Sequence, residues 1–287
     1  MAIAGALTIA FSAILVKQSG ASPSTAAIFR CAYAVPVLGA LAWWEERRLG
    51  PRGARHRALA ALAGVFFAAD LICWHHAIED VGAGLATVLG NLQVAFVGLV
   101  AWLVLGERPA GRLLAIVPAV LAGVVLISGV LEDGAYGADP TQGVIFGLAT
   151  GLAYTGFILV LRAGSGERQL VAGPLFDATL VAALVSIGAG AIIGDADLVP
   201  SWPVHGWLAT LALSSQVLGW LLISASLPRL PAALTSLLLT IQPVGSVILG
   251  ALLFAEAPSA LQLTGVAAIL AGLVMVARVR PPPMEGI

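Results

Sequence analysis

The sequence predicts an all-α integral membrane protein with ten transmembrane helices, arranged as two inverted five-helix repeats. Composition is the first observation, because 60% of the 287 residues are hydrophobic and only 10% are charged, where a soluble domain has about a quarter charged residues. The second is a series of apolar stretches of roughly 17 to 25 residues, the length that crosses a bilayer. The third is an internal repeat, in which LGNLQVAFVGLVAWLVLGERP at 89–109 is similar to LLTIQPVGSVILGALLFAEAP at 238–258.

Charged or Pro/Gly-rich breaks separate ten apolar spans. The spans must be helices, since lipid cannot satisfy a bare backbone and barrel strands would be about half as long with alternating polarity. The predicted spans are residues 2–17, 24–44, 58–78, 83–105, 112–131, 142–161, 170–194, 206–226, 232–254 and 260–277. They leave no loop long enough for a soluble domain, so we expect the chemistry to lie between helices.

Arginine and lysine predict the orientation, because cytoplasmic loops retain positive charge. Twelve of the fourteen basic residues lie in even-numbered loops and the C-terminal tail: Arg47, Arg48, Arg52, Arg55, Arg57, Arg108, Arg112, Arg162, Arg168, Arg229, Arg278 and Arg280. The odd-numbered loops hold Lys17 and eight acidic residues: Glu79, Asp80, Glu132, Asp133, Asp139, Asp195, Asp197 and Glu256. We therefore expect both termini in the cytoplasm and the chain in the cell (inner) membrane.

A single offset of 149 residues aligns four residue pairs of the two halves without a gap. The aligned pairs are Gln93 with Gln242, Glu107 with Glu256, Pro109 with Pro258 and Gly123 with Gly272. The predicted repeats span residues 1–131 and 142–278, and each contains five helices. An odd number of helices makes the second repeat enter the membrane from the opposite side. Inverted repeats of this kind are an architecture of secondary transporters, in which two similar halves support two similar conformations.

The same residues carry a family resemblance. They are Lys17, Pro23, Arg30, the segment 83–93, the run LGERP at 105–109 and Gly123, repeated more loosely as Gln242, Pro243, Glu256, Pro258 and Gly272. Together they resemble the EamA-type branch of the drug/metabolite transporter superfamily. The resemblance implies a central cavity lined mainly by helices 1–4 and 6–9, and export of amino acids or other small metabolites. Val94 departs from the family, which often has a proline there, so helix 4 is expected to bend less than helix 9.

Two glutamines are predicted at the midplane. Gln93 and Gln242 are each the eleventh residue of their span, about 15 Å from either membrane surface at 1.5 Å per residue. Either they line the cavity, or they form an interhelical hydrogen bond that ties the helices together. Further candidates on the same helices are Asn91, Thr87, Thr240 and Ser236. Pro243 frees a backbone carbonyl at the same depth, which adds another polar group.

Asp70 is the sharpest single candidate, because a carboxylate inside a bilayer is costly and usually marks a pathway, a proton relay or an ion pair. Trp74 lies one helical turn away, so the two can share one face of helix 3. At this depth the carboxylate suits proton coupling or pairing with a substrate ammonium group. The alternative is an aspartate that only binds a neighbouring helix.

Arg30 and Asp177 are predicted as gating or structural residues. Arg30 is expected nearer the outer surface and Asp177 nearer the inner one, so direct pairing between them is not expected. Tyr154 on helix 6, with Gln216 and Trp220 on helix 8, can complete an aromatic, hydrogen-bonding cavity or can pack in the core.

Two other features have ordinary explanations. His75 and His76 point about 100° apart on a helix and do not form a metal-binding pattern, so no metal and no cofactor is expected. Glu107 and Glu256 each precede a proline, where an acidic residue favours the start of the following helix, and we interpret both as caps of that helix.

These observations favour a secondary transporter that exports small metabolites, with amino acids as the leading substrate class. One alternative is a carrier of another solute: an organic cation or drug, a nucleotide sugar or a cofactor precursor. A less favoured alternative is an intramembrane enzyme. A nucleotide sugar would need several buried cations, whereas Arg30 is the only one expected. The chain lacks a Walker motif and the usual intramembrane protease motifs, so it is not expected to be an enzyme. The expected partners are a small-molecule substrate and the lipid bilayer, without nucleic acid, and a monomer is expected.

Overall fold

The computed structural model describes residues 2–105, 111–165, 170–226 and 241–277. Within these ranges all regular structure is helical. The helices are α1 (Ala2–Ser19), α2 (Pro23–Leu49), α3 (Ala54–Gly90), α4 (Gln93–Leu105), α5 (Gly111–Ile127), α6 (Pro140–Ser165), α7 (Ala172–Ile193), α8 (Val204–Leu211), α9 (Trp220–Ser226), α10 (Ile241–Phe254) and α11 (Ala260–Ala277). A π-helical segment, Ala212–Gly219, joins α8 to α9.

Five helical stretches are long and apolar enough to cross a bilayer: Pro23–Leu49, Ala54–Val97, Pro140–Gly164, Ala172–Ile193 and Val204–Ile223. Four shorter apolar helices accompany them in the described ranges: Ala4–Ser19, Val117–Ile127, Ile241–Phe254 and Ala260–Met275. The all-helical membrane class is thereby confirmed. The count of ten spans stays a prediction.

The third and fourth predicted spans are divided differently in the structure. The chain passes residues 79–82 without a loop, because Gly82 adopts φ 84° and bends α3 there instead of ending it. The interruption comes later, at Asn91 and Leu92, between α3 and α4. Asn91 closes α3 by donating from Nδ2 to the carbonyl oxygen of Thr87 at 2.8 Å. The fourth predicted span, residues 83–105, is therefore interrupted although Val94 is not a proline. Its comparison with the ninth predicted span, residues 232–254, cannot be completed because residues 227–240 lie outside the described ranges.

Equivalent helices of the two halves pack against each other in antiparallel pairs. Near the start of α2, Ser24 lies against Gly190 near the end of α7. At the opposite end of the same pair, Glu45 of α2 accepts a hydrogen bond from the backbone N–H of Gly173 at 2.7 Å. The helices α5 and α11 pair in the same antiparallel sense. This antiparallel sense is the one that the predicted inverted repeat requires.

The connections between helices gather at two chemically distinct ends. We call one the acidic end; it contains residues 17–25, 79–84, 128–140, 194–197 and 255–259, which contact one another. We call the other the basic end; it contains residues 45–57, 162–165 and 170–177. The charge asymmetry that the sequence predicts therefore corresponds to two separate ends of the helical bundle.

Small residues let α6 approach α3 closely. A Cβ on Gly147 would lie within 3 Å of Leu89, and one on Gly151 would lie 3.0 Å from the ring of Phe96. Gly143, Gly147 and Gly151 thus form a ridge of small residues that allows close helix contact. This contact sets Thr150 and Tyr154 of α6 opposite α3, where the central cavity lies.

Candidate functional site

A cavity lies in the centre of the bundle, enclosed by both halves of the chain. Its walls come from α1, α2, α3, α6, α9 and α10 and from the turn after α3. The lining residues are Ile9, Ser12, Arg30, Phe67, Asp70, Leu71, Trp74, Thr87, Gly90, Asn91, Thr150, Tyr154, Trp220 and Gln242. The cavity volume is about 70 Å³. A single water needs about 10–15 Å³ of such space, so the cavity has room for several waters or a small solute.

Aromatic rings form one side of the cavity. Trp220 meets Tyr154 edge to face, with ring centroids 6.1 Å apart, and meets Phe67 at 6.4 Å. Such perpendicular contacts hold rings in fixed orientations. Trp74, on the same turn of α3 as Asp70, adds a further aromatic face. The site therefore offers a rigid apolar surface next to its polar groups.

Arg30 is held in the cavity wall by side chains that do not line the cavity. It is only 4% exposed, and its Nε donates to Gln216 Oε1 at 3.2 Å. Gln216 in turn donates from Nε2 to Thr179 Oγ1 at 3.1 Å. Gln216 belongs to the π-helical segment, a type of irregularity that is frequent at functional sites. The guanidinium carbon of Arg30 also lies 5.6 Å from the ring centre of Trp74, within cation–π range.

Asp70 faces the same cavity and is 7% exposed. In the described part of the chain, no ion pair joins its carboxylate to a basic residue. Arg30 and Asp70 therefore place one positive and one negative group in a single small space without contact between them. Both keep bonding capacity for a third group.

Several polar atoms of the lining have no hydrogen-bond partner among the described residues. They are Ser12 Oγ, Arg30 Nη1 and Thr150 Oγ1. Buried polar groups without partners are rare in proteins and each needs an explanation. Water or a solute in the cavity can supply the missing partners of these three atoms.

The structure brings most of the predicted site residues together. Asp70, Trp74, Asn91, Tyr154, Trp220 and Gln242 all line the cavity. Gln93 and Gln216 are buried nearby but are absent from the lining; Gln216 acts instead as the brace behind Arg30. Pro243 is buried next to Gln242, and Thr240 lies outside the described residues. Arg30, predicted as a gating or structural residue, lines the cavity itself.

Asp177 lies at the basic end, away from Arg30. Its Oδ2 is 2.7 Å from Arg52 Nη1, and Arg52 also contacts Glu46 at 2.9 Å. The expectation that Arg30 and Asp177 do not pair therefore agrees with the structure. Arg52 is a partner that the sequence reasoning missed, because it lies in a loop far from Asp177 along the chain.

The prediction that Glu256 caps the helix that follows it is wrong. Instead of the helix that follows it, Glu256 binds the segment after the bend of α3 in the other half, accepting from the N–H groups of Ala83 at 2.8 Å and Gly84 at 3.1 Å. Lys17 Nζ contacts the same carboxylate at 2.6 Å. Free N–H groups follow the bend at Gly82, and a nearby carboxylate satisfies them. Glu107, predicted to cap in the same way, lies outside the described residues.

Each of the two histidines of α3 contacts a residue of another helix. His75 Nδ1 lies 3.1 Å from the carbonyl oxygen of Pro23, and His76 stacks on Phe146. Within the described ranges, no group of His, Cys, Asp or Glu side chains is arranged to hold a metal ion.

Ser12 and Thr150 are lining residues that the sequence reasoning missed. Both are single hydroxyl residues in apolar helices, and a hydroxyl in a helix usually bonds its own backbone. The repeat gives no signal for them, because the offset of 149 residues aligns Ser12 with Leu161 and not with a hydroxyl residue.

Comparison with known proteins agrees with this architecture. The family described as EamA-like transporter family matches residues 1–129 and 141–278, one match for each half. A solved crystal structure resembles the chain with a TM-score of 0.62 and 17% sequence identity, over 96% of this chain and 94% of the other; at that identity the likeness concerns the fold alone. No curated protein matches the chain significantly.

Proposed function

Because the chain belongs to the EamA-like transporter family, we propose that this multi-pass membrane transporter is a secondary carrier that exports small metabolites through its central cavity. Amino acids are the leading substrate class. The observation that carries the proposal is the cavity lined by Arg30, Asp70 and four aromatic residues of α3, α6 and α9. A site with one group of each charge holds a neutral or zwitterionic solute without a large buried net charge.

Alternating access is the proposed mechanism. The antiparallel pairing of α2 with α7 and of α5 with α11 is what inverted repeats with ten spans would produce. In that arrangement the two halves can exchange roles, so that the cavity opens first to one side and then to the other. The acidic end would face outward and the basic end, with both termini, would face the cytoplasm of a cell with an inner membrane.

A carrier of organic cations is the second candidate. Asp70 with Trp74, Tyr154 and Trp220 offers a carboxylate beside aromatic faces, a combination that binds ammonium groups. Arg30 in the same cavity disfavours such a substrate, because a cation without an anionic group would leave its guanidinium unpaired. A nucleotide sugar is disfavoured for the opposite reason, since Asp70 would repel its phosphates.

Proteoliposomes test the proposal directly. Vesicles with and without the purified protein are loaded with a mixed pool of metabolites, and the solutes that leave only in the presence of the protein are identified. The experiment is then repeated with an imposed pH gradient. We expect small zwitterionic or neutral amphipathic solutes to leave, and large polyanions to stay. A protein that releases no solute above the level of empty vesicles would contradict the proposed function.

A further inference from the structure

We infer that Arg30 is the anion ligand of the substrate, so that the transported solute carries a carboxylate close to a cationic group. This inference rests on the proposed function, since it assigns a role within the same cavity. It changes the role of Arg30 from a helix-binding residue to one that contacts the solute.

The guanidinium of Arg30 is fixed and incompletely bonded. Gln216 binds Nε from one side, and the ring of Trp74 lies 5.6 Å from the guanidinium carbon. Nη1 has no hydrogen-bond partner among the described residues although it is buried. A buried guanidinium nitrogen without a partner is costly, and a carboxylate is the group whose geometry matches it best. The side chain is therefore positioned for an anion that arrives from the cavity.

Arg52 shows what a structural arginine looks like in the same protein. Its side chain is 3% exposed, and it contacts Glu46 at 2.9 Å and Asp177 at 2.7 Å. Its charge is thus neutralised by carboxylates of the chain. Arg30 is similarly buried, but among the described residues its hydrogen-bond partner is a neutral amide. In that part of the chain no carboxylate forms an ion pair with Arg30, so a carboxylate of the solute can bind it.

Asp70 restricts the kind of anion. Its carboxylate lines the same cavity, so a phosphate or dicarboxylate would bring several negative charges beside it. A single carboxylate next to an ammonium group satisfies Arg30 and Asp70 together. The unpartnered hydroxyls of Ser12 and Thr150 supply further hydrogen bonds.

Matched ligands separate the carboxylate from the rest of the solute. The probes are glycine, alanine, leucine and phenylalanine, each compared with the amine that remains when its carboxyl group is removed. Binding to the purified full-length protein is measured from the rise in thermal unfolding midpoint with ligand concentration. We expect at least one amino acid to bind about tenfold or more tightly than its amine, because only the amino acid bonds Arg30.

Substitutions of Arg30 test whether this residue causes the preference for an amino acid over its amine. Arg30→Gln should reduce it to about threefold or less, and Arg30→Lys should retain part of it, because a lysine keeps the charge but loses the planar fork. Arg57→Gln is the matched control, since Arg57 is half exposed and binds only Glu46; its preference should equal that of the wild type. If Arg30 variants do not fold, phenylglyoxal labelling of wild-type Arg30, read by peptide mass spectrometry, should be slowed by the amino acid and not by the amine.

The possible failures are distinguishable. Amines that bind as tightly as the amino acids, an unchanged preference in Arg30→Gln, or labelling of Arg30 that the amino acid does not slow would each overturn the role of Arg30 while leaving a transport cavity intact. A wild type that binds none of the probes but releases other solutes from loaded vesicles would overturn the assigned substrate chemistry alone. Failure of the proposed function itself would appear as no release of any solute.

Discussion

At the acidic end Lys17 and Glu256 meet at 2.6 Å, whereas in the cavity Arg30 and Asp70 share one small space without an ion pair. The basic end resembles the acidic one: Arg52 contacts Asp177 at 2.7 Å, and Glu45 accepts hydrogen bonds from three consecutive backbone N–H groups, those of residues 171–173. Charges at both ends thus have protein partners, and charges in the centre keep free bonding capacity.

The difference separates structural charges from functional ones. Three paired carboxylates at the ends join the two halves. Glu256 of the second half binds Ala83 and Gly84 of the first, Asp177 of the second contacts Arg52 of the first, and Glu45 of the first binds the start of α7. Removing water from an unpaired charge costs several kcal/mol, so unpaired charges persist in a membrane protein mainly where function requires them. The ends hold the halves together, and the centre is available to a solute.

The largest effect is expected for Asp70→Asn. If Asp70 carries a coupled proton, this variant should lose the response of transport to a pH gradient and keep downhill exchange at a reduced rate. An amide keeps the shape and can still accept a hydrogen bond from the substrate ammonium group, but it cannot exchange a proton. Solute flux through proteoliposomes with and without a pH gradient measures both. An equal pH response in the variant and the wild type would exclude Asp70 as the coupling group, and a wild type indifferent to pH would indicate facilitated export.

Substitution of the two midplane glutamines by alanine should lower transport to different extents. Gln242→Ala removes a lining side chain and should lower transport about fivefold, the equivalent of one hydrogen bond of about 1 kcal/mol. Gln93→Ala changes a residue outside the lining and should lower transport less. Initial rates at matched protein levels in vesicles give the comparison. Normal transport by both variants would show that the glutamines serve packing and that the polar site lies elsewhere in the cavity.

The carboxylate of Glu256 should contribute stability more than substrate recognition. Its side chain is 2% exposed and bonds two N–H groups and Lys17, so Glu256→Gln should lower the free energy of unfolding by about 1–3 kcal/mol. Glu79→Gln is the matched control, because Glu79 is an exposed carboxylate at the same end. Thermal unfolding in detergent distinguishes them. Equal midpoints for the two variants would mean that the contact between Glu256 and the bend of α3 contributes little.

Sequence alone reached the helical class and much of the site. The four-residue spacing of Asp70 and Trp74 predicts a shared helix face, and both line the cavity. The break at Asn91 and Leu92 was missed because the apolar composition continues through it. Glu256 was assigned to the wrong helix because its true partners, Ala83 and Gly84, are more than 170 residues away in the chain, a distance that local rules do not cover.

The inferred role of Arg30 also required knowledge of its three-dimensional contacts. A sequence shows a buried arginine but not whether a carboxylate reaches it. Gln216 reaches Arg30 from a π-helical segment, an irregularity that helical periodicity does not reveal. That Nη1 of Arg30 has no hydrogen-bond partner in the described part of the chain is visible only in three dimensions.

The central claim, that solute passes through this cavity, is tested most directly by filling it. Gly90 lines the cavity, and a Cβ there would lie 3.1 Å from Thr150 and 3.6 Å from Trp74, so Gly90→Leu should occupy the space. Gly188→Leu is the matched control, because a Cβ on exposed, helical Gly188 meets nothing within 4 Å. With both variants folded, as judged by thermal unfolding, we expect Gly90→Leu to lower vesicle transport about tenfold or more, the effect of about 1.4 kcal/mol or more of steric cost, and Gly188→Leu to match the wild type. Wild-type transport by Gly90→Leu would contradict the account.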